Sequence, residues 1–385
     1  MKKKIAIVFN RMIVGGAEKA LLNFLDALDK ERYDVTLFTF NDKGAYFDEI
    51  PDNVTIKFTQ FTDSKKYFWD CVKKFKIIRV INAIYCRCMI RLCKDEYKKF
   101  SYTMRTYPKF SEKYDCAIAY KMNFEDTATV IWRINADKKC AIMHSDIDSV
   151  KATTDKFILL LLLLDKIYCV SESCRNTLNK AYPMYKNKTA VMYNQFSYQQ
   201  IISQSGVSIQ PMNSTALLTV GRLSPEKGQQ MIPETARMLV DAGYDIHWYL
   251  VGDGPLREEV ESEIEKHGVS DRVILLGTQS NPYPYIKNCD IYVQPSFSEG
   301  WGLTVQEARI LHKPIVTTPV PVFGEQIVSG ENGLIVDEMT PKALFEGIKT
   351  LIDHPKMREK FVENLEKEDH DNSKEMQKLY DFIES

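Results

Sequence analysis

The stretch Gly221-Arg222-Leu223-Ser224-Pro225-Glu226-Lys227-Gly228 joins an apolar run ending at Val220 to a helical pattern. Glycines let a backbone approach a ligand closely, and a helix N-terminus offers amide donors to an anion. Arg222 and Lys227 add two cations, one a planar fork and one a point charge. Together they suit a diphosphate; the plainer alternative is a surface loop with incidental charge. A second chemical stretch runs from Pro295 to Glu307 through Ser298-Glu299-Gly300-Trp301-Gly302-Leu303-Thr304. Glu299 precedes a helical pattern and Glu307 lies about a turn inside it. Gly300 and Gly302 allow exposed amides, and a carboxylate accepts from two sugar hydroxyls. Either glutamate alone reads as plainly as a helix cap or a solvated helix residue. Gly252-Asp253-Gly254-Pro255 reads first as a tight turn at a sheet edge.

The elements that must position these residues alternate strand and helix. Ile5 to Phe9 is a continuous apolar run, as expected of a strand buried on both faces of a parallel sheet. Strands follow at 35–40, 54–58, 116–119, 141–144 and 167–170, with a helical pattern from Leu21 to Leu28 after the loop holding Gly15 and Gly16. The pattern restarts with strands at 216–220, 246–251, 273–276, 291–294, 315–317 and 334–336. Helices are expected at 228–242, 256–267, 283–288, 304–311 and 341–353. This alternation predicts an α/β chain with two Rossmann-like halves. The expected domains are 1–194 and 195–370, joined through a polar stretch near Gln195 to Pro211. A last helix within 371–385 is expected to cross back to the first domain.

A length of 385 residues favours two cores over one. The net charge of −1 gives no global attraction to nucleic acid or membrane. Nine scattered cysteines, with no Cys-x-x-Cys pair, point to reduced thiols in a cytosolic protein. The basic start Met1-Lys2-Lys3-Lys4 is followed by too short an apolar run for a signal peptide, and the longest apolar run, Phe157 to Leu164, is too short to span a bilayer. The expectation is a cytoplasmic chain that does not cross the membrane.

Residues 64–113 depart from this balance. They hold fourteen Lys and Arg against four Asp and Glu, interleaved with Phe68, Trp69, Phe75, Ile77, Ile81, Ile84 and Tyr85. Basic amphipathic character fits the face of an anionic membrane, and equally a solvated helical face. No nucleic-acid motif accompanies the charge.

Gly221 to Gly228, Gly252 to Pro255 and the Glu299/Glu307 pair, in this order, resemble the pattern of glycosyltransferase family 4 on the GT-B fold. Asn281-Pro282-Tyr283, Cys289-Asp290 and Pro295-Ser296 add to the likeness, which is strongest over about 215–335. Gly15-Gly16-Ala17-Glu18, Met143-His144-Ser145-Asp146 and Val170-Ser171 extend it more weakly into the first half. The resemblance implies two facing Rossmann-like domains with the site in the cleft. It implies a retaining transfer from a nucleoside-diphosphate sugar, with UDP the expected nucleotide, to a glycan or lipid-linked acceptor in polysaccharide or glycoconjugate assembly. Arg222 and Lys227 would hold the diphosphate, Glu299 the sugar hydroxyls and Glu307 the ribose. Amides from Gly300 to Leu303 would face sugar and phosphates, with Trp301 as a wall where the family commonly has Phe. Gly15 and Gly16 would let a loop close over the donor, and His144 would sit beside the sugar. A lone His at a strand end is otherwise usually structural.

Asp146-Ile147-Asp148 matches an Asp-x-Asp metal pattern. Arg222 and Lys227 already supply cations for the diphosphate, so neither metal nor cofactor is expected. The first turn, Asn10 to Gly16, lacks Gly-x-Gly-x-x-Gly, which argues against a dinucleotide-dependent dehydrogenase. The rivals are a nucleotide-sugar epimerase of the same fold and an inactive membrane-bound scaffold.

Overall fold

A computed structural model describes residues 2–10, 12, 15–39, 44, 46–58, 69, 72–73, 77–95, 98–99, 101–102, 109–145, 155–212 and 214–385. Lys65, Lys66, Phe68, Lys74, Phe75 and Lys76 of the basic segment, and the pair Asp146 and Asp148, lie outside the described residues. The chain divides into two compact units, 1–195 with 373–385, and 196–372.

The first unit is built on a parallel sheet in the order β3-β2-β1-β4-β5-β6-β7. Its strands are β1 (Lys3–Val8), β2 (Tyr33–Thr39), β3 (Thr55–Phe58), β4 (Lys113–Ala119), β5 (Asn135–Met143), β6 (Lys166–Cys169) and β7 (Thr189–Val191). Helices α1 (Gly16–Ala27), α2 (Ile77–Leu92), α3 (Phe124–Trp132), α4 (Asp155–Leu161) and α5 (Glu172–Ala181) connect them. Ile5 to Val8 are wholly buried because β1 is paired on both sides, Ile5 lying opposite Val35 and Cys116. Two helices begin at side-chain caps that satisfy amides the first turn leaves over. Asn123 accepts from the amide of Asp126 at 2.8 Å, and Ser171 from that of Cys174 at 3.0 Å.

The last helix of the chain, Lys374–Glu384, belongs to this unit. It buries Met376, Leu379, Tyr380 and Ile383, a spacing of one helical stripe. Tyr380 stacks on Tyr33 with centroids 4.9 Å apart and donates to the Ala27 carbonyl at 3.2 Å. Tyr168 donates to the Lys378 carbonyl at 3.0 Å, and Lys138 to that of Phe382 at 2.6 Å. Each buried apolar side chain of this kind contributes about 1.5–3 kcal/mol.

The second unit repeats the plan in the order β10-β9-β8-β11-β12-β13. It opens with α6 (Tyr198–Ser205); its strands are β8 (Thr215–Val220), β9 (Ile246–Val251), β10 (Val273–Gly277), β11 (Ile291–Gln294), β12 (Ile315–Thr317) and β13 (Leu334–Ile335). Its further helices are α7 (Ile232–Asp241), α8 (Arg257–Lys266), α9 (Tyr283–Asn288), α10 (Leu303–Ile310), α11 (Pro341–Asp353) and α12 (Pro355–Leu365). Trp248, Ile291, Val293 and Val316 of the sheet pack with Ile232, Ala236 and Leu239 of α7 and Leu344, Ile348 and Leu351 of α11. Thr340 caps α11 by accepting from the amide of Ala343 at 3.2 Å.

One expected element is corrected. The helix read from Gly228 begins at Ile232. Between it and β8 lie two short 3-10 turns, Pro225–Lys227 and Gln229–Met231. Gly228 separates them with a φ of +69°, a conformation that stops the first turn from running on as a helix. Lys227 therefore ends a turn and does not sit at the start of a helix.

Candidate active site

In both sheets the first strand lies between the second and the fourth, so the chain departs in opposite directions from neighbouring strands. Ligands of open α/β sheets bind at such a switch point, outside the carboxyl ends of the strands. In the second unit the switch point lies between β8 and β11, and the two charged stretches leave from these strands.

Backbone contacts stitch the loops there together. The Glu226 carbonyl accepts from the amides of Phe297 at 2.8 Å and Ser298 at 3.3 Å. Gly228 lies so close to Pro295 that a Cβ would overlap the Pro295 carbonyl oxygen. The turn after β9 joins them. Leu223 donates to the Asp253 carbonyl at 3.1 Å, and Leu256 donates to the Leu223 carbonyl at 3.0 Å. Gly252, with a φ of +137°, lies against the Gly221 carbonyl where no side chain fits. Gly252 to Pro255 is thus a bracing turn.

Lys227 Nζ donates to both oxygens of Glu299, at 2.7 and 2.9 Å. The Glu299 side chain is 7% exposed and that of Lys227 24%. Enclosing a carboxylate is costly unless it is paired and hydrogen-bonded. A polar rail supplies the rest. Ser296 Oγ donates to Glu299 Oε1 at 2.8 Å, Gln294 Nε2 to Ser296 Oγ at 2.9 Å, and the buried Tyr292 hydroxyl to Gln294 Oε1 at 2.8 Å. Residues 292, 294 and 296 alternate along β11 and its extension, so they share one side. Thr304 at the start of α10 adds a bond to Gln294 Oε1 at 3.2 Å.

Arg222 is exposed at the same edge and reaches Glu226 Oε1 at 3.3 Å. Burial pushes the Glu226 carboxyl up. The Ser224 hydroxyl, 2.7 Å away, and the cations Arg222 and Lys227 outweigh it and hold the group below the usual range. Gly300 and Trp301 lead into Gly302, which caps α10 with a φ of +82°. A Cβ on Gly302 would stand 2.8 Å from the Phe323 ring. Gln326 donates to the Trp301 carbonyl and fixes the turn from behind. Leu303 opens α10. Glu307, buried within that helix, accepts from the Tyr283 hydroxyl of α9 at 3.2 Å. Neither glutamate is the helix cap.

The second unit therefore brings together Arg222, Lys227, Glu299, Gly300, Trp301, Gly302, Leu303 and Glu307. The remaining expected residues, Gly15, Gly16 and His144, belong to the first unit. Gly15 is fully extended, and a Cβ there would stand 2.5 Å from Oε2 of the buried Glu18, so the tip of that side chain would have to move. Gly16 opens α1. His144 follows β5, with its ring 4.8 Å from that of Tyr120 at the end of β4. Its Nε2 is buried with no hydrogen-bond partner. Burial above all takes the imidazole down to about 4, so it is neutral at pH 7. Tyr283, Gln294, Ser296, Thr304 and Gln326 received no role from the sequence. The alternating Tyr-x-Gln-x-Ser in a buried strand is the signal that marks the rail. Among the described residues no group of three or more His, Cys, Asp or Glu could hold a metal ion.

Residues 203–368 match the family model described as glycosyl transferases group 1. An uncharacterized glycosyltransferase of Methanocaldococcus jannaschii is 30% identical over 202 residues, which are 52% of this chain and 53% of that protein. The chain thus spans about half the length of that relative. The N-acetylgalactosamine-N,N'-diacetylbacillosaminyl-diphospho-undecaprenol 4-alpha-N-acetylgalactosaminyltransferase of Campylobacter jejuni is 23% identical over 362 residues, 93% of each chain. The crystal structure of Anabaena HepE in complex with UDP and glucose superposes with a TM-score of 0.72 over 100% of both chains, at 18% identity. The two parallel sheets with their flanking helices and this full-length match establish the GT-B fold. Residues 203–368 are thus similar to the glycosyl transferases group 1.

Proposed function

We propose that this protein is a retaining glycosyltransferase of the family 4 type. It would move a sugar from a nucleoside diphosphate, UDP for preference, to a glycan or lipid-linked acceptor. The observation that carries this reading is the Lys227–Glu299 pair at the β8/β11 switch point, braced by the buried rail and followed on α10 by Glu307. Lys227 and Arg222 are the cations a departing diphosphate requires, and a preorganised cation at a developing charge is the largest usual contribution to such catalysis. Lys227 has a third N–H beyond the two that Glu299 accepts, and that donor serves a phosphate oxygen. Glu299 keeps lone pairs for sugar hydroxyls, and Glu307 takes the ribose. The amides at the start of α10 face the phosphates, because the first turn of a helix leaves them over. Gly15, Gly16 and the neutral His144, of the first unit, would serve the sugar.

Because two side-chain cations neutralise the leaving group, the reaction needs no divalent metal, and a chelator should leave turnover unchanged. The name of the Campylobacter relative includes a diphospho-undecaprenol, which favours a lipid-linked acceptor and work at the cytoplasmic face of the cell membrane. The reading is tested by offering a panel of nucleotide sugars and following free nucleotide. Slow donor hydrolysis, abolished in Lys227→Ala, is the expected result. Full activity in that variant, or a strict need for Mn²⁺, would refute the assignment.

A further inference from the structure

Helix α2 has apolar residues on two opposite sides. Ala83 and Cys86 are buried. Ile77, Ile81, Ile84, Tyr85 and Leu92 are 49–77% exposed. At 3.6 residues per turn these five, with the exposed Cys88, fall within an arc of about 100°. A solvated helix carries polar residues on that side. A contiguous apolar stripe there marks a surface that something covers.

The charges beside the stripe identify the occupant. Exposed Arg91 borders it, and Lys94, Asp95 and Lys98, all exposed, follow its end with a net positive charge. Glu112, an acid of the same segment, is turned away to Lys4 and Lys57. A second copy of this chain, pairing stripe to stripe, would bring like charges together, which is costly. An anionic bilayer complements the apolar stripe and this net positive charge. Isoleucine and leucine enter the acyl boundary, Tyr85 and the exposed Trp69 suit the headgroup level, and the cations meet lipid phosphates. No described helix is long and apolar enough to cross a membrane, so the contact is one of lying on the surface. We infer that the outward stripe of α2, Ile77-Ile81-Ile84-Tyr85-Leu92, is the face by which the first unit inserts into an anionic membrane surface. It deepens the lipid-linked-acceptor reading by naming the element that holds the enzyme at its acceptor, yet the docking stands on the helix alone.

The test separates insertion from charge attraction. Ile81→Gln/Ile84→Gln keeps good helix formers and adds no charge, so electrostatic binding is left in place. The intact protein is sedimented with phosphatidylglycerol vesicles and with phosphatidylcholine vesicles, from low salt to ~0.5 M, where exposed charges are screened over a few Å. Wild type should bind the anionic vesicles and keep a salt-resistant remainder. The double variant should lose that remainder, its high-salt partition falling at least about tenfold, the scale of withdrawing apolar side chains of this size. Leu92→Gln, near the helix end, should give the same loss in smaller measure and covers the case of a double variant that fails to fold. Donor hydrolysis, read in the same samples, should be unchanged, because none of these residues is among those named at the candidate site. A double variant that binds like wild type at high salt would overturn the inference. So would wild type that no vesicle retains, or a wild-type dimer that the variant dissociates. Absence of donor hydrolysis with vesicle binding intact would refute the transferase reading and leave the docking standing.

Discussion

The two sheets share a strand order around their first strands, but their switch points are furnished differently. In the second unit three loops are sewn together by backbone hydrogen bonds, and a Lys–Glu pair is fixed by a buried polar rail. In the first unit, among the described residues, the sheet edge there holds polar side chains with few partners. Asn10 donates to Glu125, His144 has a buried bare nitrogen, and Asp126 is wholly buried with one carboxyl oxygen unpaired. A rigid charged cradle suits a constant portion of a ligand, such as a diphosphate. A looser polar edge suits the portion that varies between related enzymes. The difference teaches that one fold can divide the work of recognition between a preorganised half and an adaptable half.

The strongest way to break the contrast is Gly228→Ala. Gly228 has a φ of +69° and no room for a Cβ against the Pro295 carbonyl, so the two loops must separate. Thermal melting should show a loss of at least about 2 kcal/mol, with transfer abolished. Gly243→Ala is the control: its φ of +89° imposes strain, but its Cβ meets open space. It should cost only about 1 kcal/mol and leave transfer intact. Equal losses in the two variants would mean that the loop contact contributes nothing.

Next in size is Lys227→Ala. Removing one electrostatic stabiliser should lower turnover by about 10²–10³. It also leaves Glu299 enclosed without its cation, so the melt should shift downward as well. Lys227→Arg should restore stability more than turnover, because a planar fork does not reproduce the geometry of an ammonium. Smaller still is Glu307→Gln. It keeps the Tyr283 bond and removes one charge. The nucleoside diphosphate should bind about tenfold more weakly by calorimetry, with the melt little changed. Normal nucleotide binding would exclude a ribose contact at Glu307.

Much of this architecture was legible in the sequence for a simple reason. A strand paired on both sides and covered on both faces is a short apolar run, and Ile5 to Val8, Ala216 to Leu218 and Ile291 to Val293 all read that way. Elements with little to bury were not. β7 has three residues at a sheet edge, and α5 buries only Cys174 and Leu178. The loop glycines and charges drew notice because their types are unusual between a strand and a helix. Their partnership was hidden, since Lys227 and Glu299 are 72 positions apart and pair only through the adjacency of β8 and β11. For α2 the sequence places apolar residues on opposite sides, so only the fold reveals which of them are buried.

The finest difference between the units is in how the first unit responds to pH. Burial above all takes His144 down to about 4, from an ordinary 6.5. Burial takes the Asp126 carboxyl up to about 8, from 3.8, against the pull of the Asn123 side chain and the Asn10 amide. The two act in opposite senses. Between pH 6.5 and about 4 the unfolded chain takes up a proton that folded His144 refuses, so stability falls as the pH drops. Between pH 3.8 and about 8 the unfolded chain releases a proton that folded Asp126 keeps, so stability falls as the pH rises. Where the windows overlap the slopes cancel, and each group contributes at most about 1.4 kcal/mol per pH unit. Asp126→Asn preserves the 2.9 Å bond donated by Asn123 and removes the titration. Its advantage over wild type in urea melts should grow from pH 5 to pH 8. His144→Gln should show the mirror image, gaining on wild type as the pH falls from 6.5 to 4. Parallel curves for Asp126→Asn and wild type across that range would mean that Asp126 is ionised in the folded unit. The polar edge of the first unit would then carry a buried negative charge at Asp126.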